Sequence, residues 1–137
     1  MKQKDLLFVD LSARLPYHVR CKIWLKDGTT EEGFLDLEHN YADVLLDAFY
    51  YNKIKEIKPY LRSMSSMTEE EKREYVSFIG GQQPFDFDFS AYPTEYKFVY
   101  EWDVVNYINW LNSHHFDYRG LIKRGLAIEA PEGMYEI

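Results

Sequence analysis

The residues best suited to chemistry lie together near the end of the sequence: His114-His115-Phe116-Asp117-Tyr118-Arg119. Two imidazoles, a carboxylate and a guanidinium could serve a hydrolase as general base, orienting group and anion clamp. His, His and Asp are also metal ligands. Their spacing opposes a metal, because adjacent residues on a helix or strand point apart. The remaining histidines, His18 and His39, are distant in sequence. A structural reading competes with the catalytic one. Histidines at a helix C-terminus are favoured by the dipole, Asp117 can cap the turn that follows, and Arg119 can pair with an acidic neighbour. The structural reading is the expectation, with no metal and no cofactor. His114, His115, Asp117 and Arg119 remain the catalytic candidates.

A second set is basic. Lys53, Lys55, Lys58 and Arg62 interleave with Tyr50, Tyr51 and Tyr60. Single-strand nucleic-acid sites use such a mixture, cations for phosphates and rings for base stacking. Glu56 dilutes the pattern, and lysines snorkelling from an ordinary strand explain it as well. A third set, Asp86, Asp88, Glu95, Glu101 and Asp103, is acidic. It lacks the Gly-turned calcium loop and reads as a solvated face. No phosphate loop, Gly-x-Ser-x-Gly elbow, His-Glu-x-x-His or Cys-x-x-Cys is present.

Charge bears on partners. The net charge is −7, and all of it falls in residues 67–137, since residues 1–66 balance. An acidic half opposes phosphate binding. The single cysteine, Cys21, excludes an internal disulfide and reads as a small buried hydrophobe. The apolar run Leu6–Val9 is too short for a signal peptide or a membrane span. These features lead us to expect a cytoplasmic protein with no membrane partner.

The 137 residues, 46% hydrophobic and 18% aromatic, suit one domain, 1–137, with a real core. Its first part, 1–62, reads as mainly β. Lys4–Ala13 can form a short helix before Pro16. His18–Leu25 alternates, with Val19, Cys21, Ile23 and Leu25 on one side and Arg20, Lys22 and Trp24 on the other. Asp27-Gly28 predicts a hairpin turn, and Thr30–Leu37, carrying Phe34, the return strand. Tyr41–Ala48, with Val44-Leu45-Leu46 consecutive, reads as a third strand covered on both faces. Lys53–Ile57 reads as a fourth, ending at Pro59 or lying at an edge. The second part, 63–137, reads as mainly helical. Thr68-Glu69-Glu70-Glu71 is a capping box. Asp103–Ser113 presents Val104, Val105, Ile108 and Leu111 on one face. Gly120–Arg124 is a short turn closed by Gly125, and Pro131 and Gly133 mark a loose tail. Residues 80–102 are irregular, a hairpin, a loop or a helix from Thr94 onward. The fold class is α+β: a small antiparallel barrel or sheet in the first half, packed with two or three helices from the second.

The phrases Leu11-Ser12-Ala13-Arg14-Leu15-Pro16-Tyr17, Lys58-Pro59-Tyr60-Leu61-Arg62, Ser65-Ser66-Met67-Thr68-Glu69-Glu70-Glu71 and His115-Phe116-Asp117-Tyr118-Arg119-Gly120-Leu121-Ile122 resemble those of a group of uncharacterised small proteins encoded in gut-bacterial genomes and in their phages and mobile elements. The resemblance extends through Ala130-Pro131-Glu132-Gly133-Met134-Tyr135 but not over 18–57 or 80–102. It implies a stand-alone small protein and no activity. The order helix, strand, Lys26-Asp27-Gly28, strand, Gly33-x-Leu35 and Asp43-x-x-Leu46-Asp47 also resembles the Sm-like RNA-binding barrels. There the position of His39 is usually Asp and that of Asp43 a base-reading Asn. The second Arg-Gly signature is missing, so the departures fall on the RNA-reading positions.

The expected function is a non-catalytic module that binds another protein through its aromatic-rich acidic half, since Tyr and Trp are enriched in binding patches. Two alternatives remain: a nucleic-acid-binding small barrel, and a hydrolase built on His114, His115 and Asp117.

Overall fold

The computed structural model describes residues 2–35, 41–51, 53–79 and 101–135. The chain opens with helix α1, Gln3–Arg14, which has Asp5 in its first turn and Arg14 in its last, each complementing the dipole. Its buried stripe is Leu7, Asp10, Leu11 and Arg14, at the i, i+3, i+4, i+7 spacing of one helix face. Pro16 sits in the 3-10 turn Leu15–Tyr17, which His18 ends in the left-handed region at φ 54°.

Strands β1, Val19–Leu25, and β2, Thr30–Leu35, form the expected hairpin. Gly28 supplies φ 91° in its turn. The Asp27 carboxylate accepts from the Thr29 N–H at 2.9 Å and the Thr29 hydroxyl at 2.6 Å. Val19 and Cys21 are buried, and Ile23 packs on the same core.

The next apolar run departs from expectation. Tyr41–Phe49 is a helix, α2, and not a strand. Leu45 is buried, and Val44, Ala48 and Phe49 pack beside it. These positions recur at helical spacing, and the consecutive Val44-Leu45-Leu46 hides that period.

Strand β3, Ile54–Leu61, runs through Pro59 instead of ending there. It pairs with β1 on one side. On the other, the two-residue β4, Ile128–Glu129, pairs only with Tyr60 and Leu61, and in parallel. Pro59 therefore lies where β3 is still an edge, the setting in which its missing N–H costs least. The sheet order is β2-β1-β3-β4. The sheet is open and mixed, which corrects the expectation of an antiparallel barrel. The tail is also not loose. The Tyr135 hydroxyl donates to the Tyr60 carbonyl at 2.7 Å and accepts from the Arg20 N–H at 2.9 Å.

Helix α3, Glu69–Ile79, begins with the predicted capping box. The Glu71 N–H donates to the Thr68 hydroxyl at 3.1 Å, and the Thr68 N–H to the Glu71 carboxylate at 2.9 Å. Replacing Thr68 by Ala is expected to lower stability by about 1 kcal/mol, read by urea denaturation. Helix α4, Glu101–Ser113, buries Tyr107 and Leu111, whereas Val105 faces solvent. The expected apolar face is thus rotated toward Tyr107. The hairpin, loop or helix proposed within residues 82–100 lies outside the described residues.

The core has two parts. One joins α1, α2 and the inner sheet face around Leu11, Cys21, Ile57 and Leu61. The other gathers Met67, Tyr107, Leu111, Phe116 and Tyr118.

Candidate functional site

The enzyme-like motif begins as α4 ends. The His114 N–H donates to the Trp110 carbonyl at 3.1 Å, and His115 turns the chain in the left-handed region at φ 63°. Phe116 then bridges to Arg62 beside β3, with the Asp117 N–H donating to the Arg62 carbonyl at 2.8 Å. Each side chain of the motif has a packed position. The His114 ring stacks on Trp110, centroids 4.4 Å apart. His115 stacks on Tyr135 at 3.7 Å. Phe116 is fully buried under the Arg62 guanidinium.

Asp117 accepts from the backbone N–H of Leu121 at 2.8 Å and of Ile122 at 2.9 Å, so its carboxylate holds the turn that follows. Arg119 pairs with Asp10 at 2.9 Å. Tyr118 donates to Asn112 at 2.8 Å.

Titration follows from these surroundings. Burial pushes His115 down to about 4, and the nearby charges of Arg14, His114, Arg62 and His18 act in the same direction. Burial also lowers His114. Burial raises the Asp117 carboxyl although two N–H groups favour its ionised form. Cys21 is buried and its thiol is pushed up to about 12, which makes it inert as a nucleophile.

The centre of this region is a residue pair that the motif did not reveal. Asp10 and Arg14 of α1 are both fully buried and pair in bidentate fashion, at 2.7 and 3.1 Å. Arg14 also donates to the Phe116 carbonyl at 2.8 Å. Burial works against its charge, but Asp10 outweighs that, so Arg14 titrates above its ordinary range. Their i, i+4 spacing on the same stripe as Leu7 and Leu11 was the available signal.

A groove of about 750 Å³ lies nearby, lined by Arg62, Ser66, Thr68, Glu129, Glu132 and Tyr135 among others. None of His114, His115, Asp117 and Arg119 lines it. No family model, curated protein or solved structure matches this chain. Among the described residues no group of three His, Cys, Asp or Glu side chains is placed to hold a metal ion. No described helix is long and apolar enough to cross a membrane.

Asp117→Ala is expected to cost about 1–3 kcal/mol, because it strands a buried N–H donor at Leu121 and a partly buried one at Ile122. Chemical denaturation measures this. A variant as stable as the parent, or more so, would reassign the motif to a strained functional site.

The basic set is dispersed. Lys53 lies over the Tyr51 ring, and Lys55 lines a cleft beside α1. Lys58 pairs with Glu56 at 3.4 Å. Arg62 makes a bidentate pair with Glu71, both bonds 2.7 Å. Burial opposes the Glu71 charge, but Arg62 and the Thr68 N–H hold its carboxyl below its ordinary value. Of the acidic set, Asp86, Asp88 and Glu95 lie outside the described residues. Glu101 and Asp103 fall in α4.

The outer sheet face is better ordered. Cross-strand register places Arg20 beside Phe34, Lys22 between Glu32 and Lys58, and Trp24 between Thr30 and Glu56. Phe34 is 57% exposed. The Arg20 guanidinium lies 5.8 Å from the Phe34 centroid, and the Lys22 and Lys58 ammonium groups 5.3 and 5.7 Å from the Trp24 centroid. Glu32 accepts from the Tyr60 hydroxyl and from Arg20.

Proposed function

We propose that this chain is a non-catalytic protein-interaction module, a cytoplasmic accessory protein of gut bacteria or of their phages and mobile elements. The observation that carries this reading is the outer sheet face. It exposes Phe34 and half-exposes Trp24, each ring flanked by cations, with no enzyme motif beside it. Aromatic and Arg side chains are the usual anchors of protein interfaces. Most aromatic side chains of the acidic half lie outside those the structure describes, so this reading rests on the first half. Tyr107, Phe116 and Tyr118 of the acidic half are buried, whereas Phe34, Tyr50 and Tyr51 are exposed in the first half.

Single-stranded nucleic acid is the rival occupant, since rings and cations alternate on this face. Glu32 and Glu56 interleave with Arg20, Lys22 and Lys58, and the chain carries a net −7. A nearly balanced face on an acidic chain favours a protein of mixed charge over a phosphate backbone.

Site-specific photocrosslinking tests the reading in the source cell. A photoreactive phenylalanine at position 34 is expected to give one discrete protein adduct, and the same probe at Val105 none. Lys22→Glu with Lys58→Glu is expected to abolish the adduct. In a binding titration with the purified partner, Trp24→Ala is expected to weaken affinity by more than about tenfold. Adducts to RNA, or no adduct, would overturn it.

A further inference from the structure

A second feature lies along the edge of β3, next to the outer-face residues Glu56 and Lys58. Because β4 pairs only with Tyr60 and Leu61, residues 54–58 of β3 have no strand partner on that side among the described residues. A cleft of about 320 Å³ runs along this edge. Its floor is apolar: Leu7 of α1, Ala48 and Phe49 of α2, Ile54 and Ile57 of β3, and Leu126. Its mouth is cationic. The Lys4 ammonium lies 6.0 Å from the Phe49 centroid, and Lys55 lines the cleft and is exposed. Glu56, the one acidic group among the lining residues, has its carboxylate paired with Lys58.

We propose that this cleft binds an unbranched alkyl carboxylate, its tail on the apolar floor and its head group between Lys4 and Lys55. Three properties select that occupant. The volume is at the lower end of small-molecule sites, and apolar walls with a few convergent polar groups are their usual composition. Two lysines at the mouth complement one anionic head. A strand directs alternate backbone groups to each side, so the open edge of β3 adds N–H donors that a carboxylate can accept from. The cleft shares Glu56 and Lys58 with the outer face, but the interaction anchors Phe34 and Trp24 do not line it, so Lys4 and Lys55 are the residues that test it separately.

Calorimetric titration of the full chain with decanoate, below its micelle concentration, tests this. Saturable one-site binding is expected, with amide shifts in NMR spectra concentrated at residues 54–58 and 126. Decylamine, with the same tail and the opposite charge, is expected to bind at least about tenfold more weakly. The Lys4→Glu/Lys55→Glu variant is expected to lose at least about tenfold in decanoate affinity. It changes only exposed side chains, so it keeps the test valid where a floor substitution fails to fold. Ala48→Phe fills the floor and is expected to abolish binding. No saturation, equal affinity for decylamine, an unchanged lysine variant or shifts elsewhere would each overturn the proposal. An extended peptide of alternating leucine and aspartate that binds where decanoate does not would also overturn it, and would make the edge a strand-addition site.

Discussion

Replacing Asp10 by Ala is expected to cost about 3–5 kcal/mol, the loss that follows when one partner of a buried ion pair is removed. The reason is Arg14. Its guanidinium is fully buried, and Asp10 is its bidentate partner. Without Asp10 the charge stays in the interior with the Phe116 carbonyl as its remaining hydrogen-bond partner. Arg119 loses its carboxylate as well. Domains of this kind have about 5–15 kcal/mol in all, so the loss takes a large share of the total. An Asp10→Leu/Arg14→Met double variant should recover much of the loss, because an apolar pair of similar volume carries no desolvation cost. Urea denaturation of the single and double variants measures both effects. An Asp10→Ala variant within about 1 kcal/mol of the parent would show that the pair contributes little to stability.

The second large effect is on pH dependence. His115 ordinarily titrates near 6.5 and is pushed down to about 4 in the fold. Its ring lies against Tyr135, its Nδ1 is buried without a hydrogen-bond partner among the described residues, and Arg14, His114, Arg62 and His18 surround it with positive or titratable groups. Between about pH 6.5 and 4 the unfolded chain takes up a proton at this position and the folded chain does not. The contribution of His115 to stability therefore falls as the pH drops through that window and is fully lost below it. The full loss from this one group is about 3 kcal/mol, at 1.36 kcal/mol per unit. His115→Asn removes the titration and keeps a residue type that tolerates the left-handed backbone found there. Its stability is expected to decline less steeply over the same interval than that of the parent. Denaturation at pH 7, 5.5 and 4.5 gives both slopes. Equal slopes would mean that His115 protonates freely in the folded state.

The sequence reading succeeded where a local rule has one outcome. Thr68-x-x-Glu71 demanded a reciprocal cap and forms one. Asp27-Gly28 demanded a hairpin, and the alternation from Val19 onward put Val19 and Cys21 on the core side. It failed where a consecutive apolar run hides the period. A run such as Val44-Leu45-Leu46 is equally apolar in both secondary structures, and only contact with α1 and the sheet decides for α2. The barrel failed with it, since a four-strand count depended on that run. β4 went unseen because two residues carry no period, and its pairing is with a strand far earlier in the chain.

At the candidate site, the capping role open to Asp117 was legible from its position before a Gly-bounded turn. The partner of Arg119 was not, because Asp10 lies 109 residues away. The outer face was half legible. The strand alternation put Trp24 beside Lys22, but Phe34 and Lys58 joined them only through cross-strand register.

The distance along the chain between Arg14 and Phe116 has a consequence for biosynthesis. Helix α1 leaves the ribosome well before the carbonyl that its arginine bonds, which lies 102 residues downstream. At about 5–20 residues per second of translation, the buried charge of α1 waits roughly 5–20 s for that partner. Asp10, four residues earlier, is already present through the whole interval. The ion pair can therefore form inside the nascent helix and hold the guanidinium neutralised until the Phe116 turn arrives. A chain stalled just before residue 116 would expose a helix already charged-balanced on its inward stripe and still open to chaperones.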